Sequence, residues 1–126
     1  MIFGIGVDCE KISRFENLKE SFLKKVFTAS EISYCKSKKN SSQHFAARFT
    51  AKEAVKKAMA PLGLNISFTD IEVIKKNIYP EIKLRNKDLN KNYSVTLSIC
   101  HSDEIAMAFV IVQGEKNGRK IKSNIH

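Results

Sequence analysis

A chain of 126 residues, 43% of them hydrophobic, is the right size for a single domain with a modest core. Its 22 Lys and Arg against 13 Asp and Glu leave a net charge of +9, which draws polyanions: nucleic acid, an anionic lipid surface or an acidic protein. No apolar run approaches the roughly 20 residues that span a bilayer, and Cys9, Cys35 and Cys100, widely spaced and without a C-x-x-C pair, signal neither a disulfide framework nor a zinc site.

Residues 2–8 read as a buried strand of the mature fold, with no basic leader before them and a cytoplasmic setting expected. Gly4 and Gly6 let another backbone come close, and Asp8 puts a carboxylate at the strand's exit. Ile12, Phe15, Leu18, Phe22 and Val26 recur at nearly 3.6 residues, predicting a helix whose other side carries Lys11, Arg14, Lys19, Lys24 and Lys25. Thr28-x-x-Glu31 is a capping box that starts a second helix, running to about Lys38. After a polar loop, Asn40 and Gln43 give a weaker start signal for a central helix, stopped after Met59 by Pro61 and Gly63. Phe68–Ile74, Tyr79–Leu84, Val95–Cys100 and Ile105–Val112 predict antiparallel strands joined by Asn-rich turns and by His101-Ser102-Asp103-Glu104. The expected fold class is α+β, with an N-terminal strand and helices packed on a small antiparallel sheet; residues 1–113 form one domain and 114–126 a basic tail. Trp is absent and the eight Phe are spread singly, which counts against a single-strand nucleic-acid platform.

The central helix is the most informative stretch. On a helical wheel Ala47, Ala51, Ala54, Val55 and Ala58 share one thin face, while Arg48, Lys52 and Lys56 line a second row and Glu53 and Lys57 a third. One carboxylate among four cations suits a phosphorylated ligand held with the help of a metal. Taken alone, Asp8 is a turn cap and Glu53 the partner of Lys57 in an ordinary helical pair. If the first strand packs beside this helix, however, the two carboxylates converge. Two carboxylates with phosphate oxygens and water suit the octahedral oxygen shell of Mg²⁺. Arg48, Lys52 and Lys57 would then face phosphate groups. His101 closes a strand at a tight turn, where a plain turn residue and a ligand contact are equally good readings. Adjacent strand residues face opposite ways, so Cys100 and His101 make no nucleophile–base pair.

Three blocks in order carry a resemblance: Gly4-Ile5-Gly6-Val7-Asp8 with Ile12-Ser13-Arg14-Phe15; Phe27-Thr28-x-x-Glu31 with Ala47-Arg48-Phe49-x-Ala51-Lys52-Glu53-Ala54-x-x-Lys57-Ala58; and Leu97-Ser98-Ile99-Cys100-His101 with Ala106-x-Ala108. Together they resemble the holo-acyl-carrier-protein synthase branch of the 4'-phosphopantetheinyl transferase family. The resemblance implies a homotrimeric transferase that moves the phosphopantetheine arm of coenzyme A onto a serine of the acidic acyl carrier protein, in support of fatty acid biosynthesis. It implies Asp8 and Glu53 as Mg²⁺ ligands, with Lys57 at the diphosphate. Arg48, His101 and Ser102 are implied on the 3'-phosphate side and Lys52 near the coenzyme. Arg14, with Lys24 and Lys25 behind it, is implied as the carrier-protein docking surface. A basic nucleic-acid module would leave Asp8 and Glu53 without use, and a catalytically dead relative would not need Asp8, Glu53, Lys57 and His101 together. Neither nucleic acid nor membrane is therefore expected as a partner.

Overall fold

The computed structural model describes residues 3–114, so most of the expected basic tail lies outside the described residues. In chain order it contains β1 (Phe3–Lys11), a 3-10 turn (Ile12–Phe15), α1 (Glu20–Val26), α2 (Ala29–Lys36), α3 (Ser41–Met59), further 3-10 turns at Ala60–Leu62 and Phe68–Asp70, β2 (Ile71–Lys76), β3 (Tyr79–Leu84), α4 (Lys87–Asn92), β4 (Ser94–His101) and β5 (Ile105–Gln113). The class is α+β, as expected. The strands divide into two antiparallel sheets rather than one: β1 joins the last two strands in the order β1-β5-β4, and β2 pairs with β3 as a separate hairpin.

α3 lies across β1 and β5, and glycine makes this possible. A Cβ built on Gly4 would stand 2.0 Å from the Ala58 carbonyl oxygen, and one on Gly6 would stand 1.9 Å from that of Ala54. Ala51, Ala54 and Ala58 are fully buried on the facing side, so small residues on both elements bring backbone against backbone. Val110 and Val112 of β5 extend this core toward Met59 and Ile71. A second core gathers the dispersed phenylalanines: Phe15 and Phe49 centroids lie 5.2 Å apart, Phe27 and Phe45 5.0 Å, and Phe49 stacks on Phe68 at 5.6 Å.

Three local readings change. The helix expected across residues 12–26 breaks after Phe15, where Asn17 takes a left-handed φ of 55°, although Ile12, Phe15, Leu23 and Val26 still turn inward. The Asn-rich stretch after β3 forms α4, capped by the Asn86 side chain accepting from the Leu89 amide at 3.1 Å. Asn40 does not cap α3 with its side chain. The Thr28–Glu31 capping box forms as expected.

Candidate active site

Even-numbered residues of β1 face α3. Gly4 and Gly6 bring the helix close, and Asp8 is the first side chain of that row to meet it. Lys57 Nζ donates to Asp8 Oδ1 at 2.9 Å and to the Val7 carbonyl at 3.2 Å, while its stem is exposed. The pair holds the Lys57 ammonium above its ordinary pKa, chiefly through the hydrogen bond to Asp8. Glu53, one turn earlier on α3, acts electrostatically on both Lys57 and Glu10. Asp8 thus meets Lys57 directly, and Glu53 lies within electrostatic reach of the same lysine. Asp8 is buried, yet its Oδ2 has no hydrogen-bond partner among the described residues. An acceptor left in that condition is costly unless a proton or cation joins it. No three of the described His, Cys, Asp and Glu side chains form a closed metal cage. Asp8 and Glu53 fit instead the open arrangement in which Mg²⁺ takes its remaining ligands from phosphate oxygens and water.

Glu10 is the residue that the sequence reading missed. It follows Asp8 on the same face of β1, pairs with Arg14, and has its carboxyl pushed up to about 7. Burial is the leading cause, followed by the neighbouring Asp8 carboxylate; Arg14 acts in the opposite direction. The folded state therefore binds this proton more tightly than the unfolded chain does. The associated stability is complete below the ordinary carboxylate pKa and falls as pH rises through about 7. Without divalent cations, Glu10→Gln is expected to raise the melting temperature at about pH 8 and leave it nearly unchanged at about pH 5. The gain should be a few degrees, since ~1 kcal/mol moves a domain of this size by about 4 °C. Thermal denaturation in chelator checks this, and an equal shift at both pH values would remove the assignment.

A second cluster forms at the other end of α3. Arg48, expected to face phosphate groups, is mostly buried, with its guanidinium carbon 4.4 Å from the Tyr34 ring centroid and Nε without a partner among the described residues. Its Nη1 donates to the His44 carbonyl at 3.4 Å. Lys38 also lies over Tyr34, at 4.7 Å. His44 is held below its ordinary pKa, first by burial and then by its basic neighbours Arg48, Lys38, Lys75 and His101. His101 sits at the end of β4 with Nε2 2.8 Å from Gln43 Nε2 and Nδ1 3.2 Å from the Ser102 carbonyl. The Ser102 hydroxyl accepts from the Glu104 and Ile105 amides at 3.2 and 3.1 Å, which fixes the turn and leaves its own proton to give. Ala106 of β5 pairs with Glu10 on one side and His101 on the other, so the two clusters flank one rung of the sheet. Two strand spacings amount to roughly 10 Å.

Lys52 must be corrected. Its side chain is fully enclosed: Nζ meets Glu31 Oε1 at 2.7 Å and the carbonyls of Val26 and Phe68 at 2.9 Å each. Glu31 also accepts from the Thr28 amide at 2.8 Å and the Val73 amide at 2.7 Å. Desolvation lowers the Lys52 pKa against the pull of Glu31. With its three donors engaged inside the fold, this ammonium has no free reach toward a coenzyme. Arg14, Lys24 and Lys25 are all exposed, as a docking surface requires.

Fold and site together define an open carboxylate–lysine junction beside a cationic cluster, on an α+β frame suited to a phosphorylated ligand. The sequence profile of the 4'-phosphopantetheinyl transferase superfamily matches residues 4–110, and the chain belongs to that superfamily. It is 42% identical over 124 residues to holo-[acyl-carrier-protein] synthase of Caldicellulosiruptor saccharolyticus, covering 92% of this chain and 100% of the relative. Among solved structures it resembles the holo-(acyl-carrier-protein) synthase of Bacillus anthracis in complex with CoA (3',5'-ADP), with a TM-score of 0.74, 32% identity, and 88% and 96% of the two chains covered. The Helicobacter pylori enzyme in complex with coenzyme A gives a TM-score of 0.70 at 32% identity, covering 86% of this chain and 99% of that one.

Proposed function

We propose that this chain transfers the 4'-phosphopantetheine arm of coenzyme A to a serine of apo acyl carrier protein, in a Mg²⁺-dependent reaction that supplies fatty acid biosynthesis. The observation that carries the reading is the Asp8–Lys57 contact with the second Asp8 oxygen unpartnered among the described residues, in a chain of this superfamily. Asp8 and Glu53 would hold Mg²⁺, which when bound supplies charge neutralisation at the diphosphate. Lys57, exposed along its stem and charged throughout the physiological range, turns from Asp8 toward the diphosphate and steadies charge on the departing nucleotide. Arg48, His101 and Ser102 take the 3'-phosphate side across the rung from the metal-binding carboxylates. Arg14, Lys24 and Lys25 dock the acidic carrier protein. Free Cys9, Cys35 and Cys100 suit a reducing cytoplasm.

A homotrimer belongs to the same reading. The outer face of the three-stranded sheet presents Phe3, Ile5, Val7, Ile105, Met107 and Phe109, each 39–57% exposed. So continuous an apolar surface suits a protein contact, and further copies of this chain are the partner inferred.

Intact-mass spectrometry of an apo acyl carrier protein incubated with this protein, coenzyme A and Mg²⁺ tests the function. The expected product has gained one phosphopantetheine arm, and chelator suppresses the gain. An unchanged carrier mass with Mg²⁺ present would overturn the proposal.

A further inference from the structure

Gln43 has no role in the reading above, yet it is the best-anchored polar group of the cationic cluster. It lies in the first turn of α3, 58 positions before His101, and its amide is gripped from both ends. Asn40, instead of capping the helix, donates from Nδ2 to Gln43 Oε1 at 3.2 Å. The direction is set at the far end, where the Ser102 carbonyl, 3.2 Å from His101 Nδ1, can only accept. The proton of the neutral ring therefore sits on Nδ1, its Nε2 accepts, and the atom of Gln43 that meets it at 2.8 Å is the donating Nε2, with Oε1 left to Asn40. The chain Asn40–Gln43–His101–Ser102 is then fully directed.

Two consequences follow. His101 has both ring nitrogens engaged, and its lone pair serves to orient Gln43. The Gln43 NH₂ group spends one hydrogen on His101 and keeps a second, held in a fixed direction beside a cluster in which Arg48, Lys38 and Lys75 act on His44. An oriented neutral donor beside several cations is a construction for a dianionic phosphate monoester: the cations supply field, and the amide supplies direction.

We propose that Gln43 is a specificity-determining residue that donates its free amide hydrogen to the 3'-phosphate of the coenzyme, with His101 acting largely by orienting it. This rests on the assignment of the cluster to the 3'-phosphate. The pair distinguishes coenzyme A from its 3'-dephospho form.

Isothermal titration of the full chain with coenzyme A and with 3'-dephospho-coenzyme A tests it, using wild type, Gln43→Leu, His101→Ala and the double variant, each with its fold checked by circular dichroism. Gln43→Leu is expected to weaken coenzyme A about tenfold, as for one hydrogen bond to a charged group, and to change the dephospho form less than about twofold. The double variant should be no weaker than the more affected single variant, because the two residues act as one unit. A Gln43→Leu protein that keeps wild-type discrimination, or losses that add in the double variant, would overturn the role of Gln43 alone. Wild-type protein that binds both coenzymes equally would overturn the 3'-phosphate assignment itself, and the inference with it.

Discussion

Gly6→Ala is expected to lower the melting temperature by about 10 °C or more, or to yield no soluble protein. The new methyl carbon would lie 1.9 Å from the Ala54 carbonyl oxygen and 2.9 Å from both the Ala54 carbonyl carbon and the Ala58 nitrogen. These are main-chain atoms inside a helix, so no side chain can swing aside. Overpacking ordinarily costs about 1–3 kcal/mol, occasionally more, and a backbone clash on this scale belongs at the upper end. At about 4 °C per kcal/mol, three such units give the expected fall. Relief requires β1 to withdraw from α3, which also pulls Asp8 from Lys57. Protein that survives should therefore bind divalent cation poorly as well as melt early. Differential scanning calorimetry decides the matter: an unchanged melting temperature would mean that strand and helix are not in backbone contact.

Lys52→Met is the second large effect. It leaves Glu31 as a buried carboxylate without its cation, a change that costs about 3–5 kcal/mol in comparable sites. It also frees the Val26 and Phe68 carbonyls from their donor. Pairing it with Glu31→Gln should recover only part of the loss, because the stranded charge is gone but a glutamine offers one acceptor oxygen where the Thr28 and Val73 amides used two. Urea denaturation measures both variants. Coenzyme affinity of the folded Lys52→Met protein is expected to stay close to wild type. A selective loss of coenzyme binding with stability intact would instead return Lys52 to the ligand.

The contrast between Lys52 and the alanine face of the same helix shows what the chain makes legible. A helical wheel states which residues share a row, and Ala51, Ala54, Val55 and Ala58 of the row it predicts are indeed buried. It does not state what covers a row. α2 and the β2–β3 hairpin close over Lys52, and nothing local to α3 announces them. Gly4 and Gly6 were readable because only close backbone approach explains two glycines in so apolar a strand. Glu10 could have been found by extending the alternation of β1 past Asp8, where the spacing of two puts both carboxylates on one face. The break at Asn17 was hidden because the inward-facing residues keep nearly helical spacing while the backbone does not. Asn40 has the type and position of a cap but does not act as one. Its true partner, Gln43, matters through His101, far away in the chain and brought near only by tertiary packing.

The alternation of β1 has a consequence for how the gene can vary. Its odd residues form the greasy outer side, and its even residues carry the glycine approach and then the acids. Losing or gaining a single codon between Phe3 and Val7 would swap the two sides at once, thrusting bulky side chains at the helix and leaving charges to face whatever neighbour covers the sheet. A change of two codons would preserve the parity. Natural length variation at this end should therefore come in even steps, and odd ones should be rare.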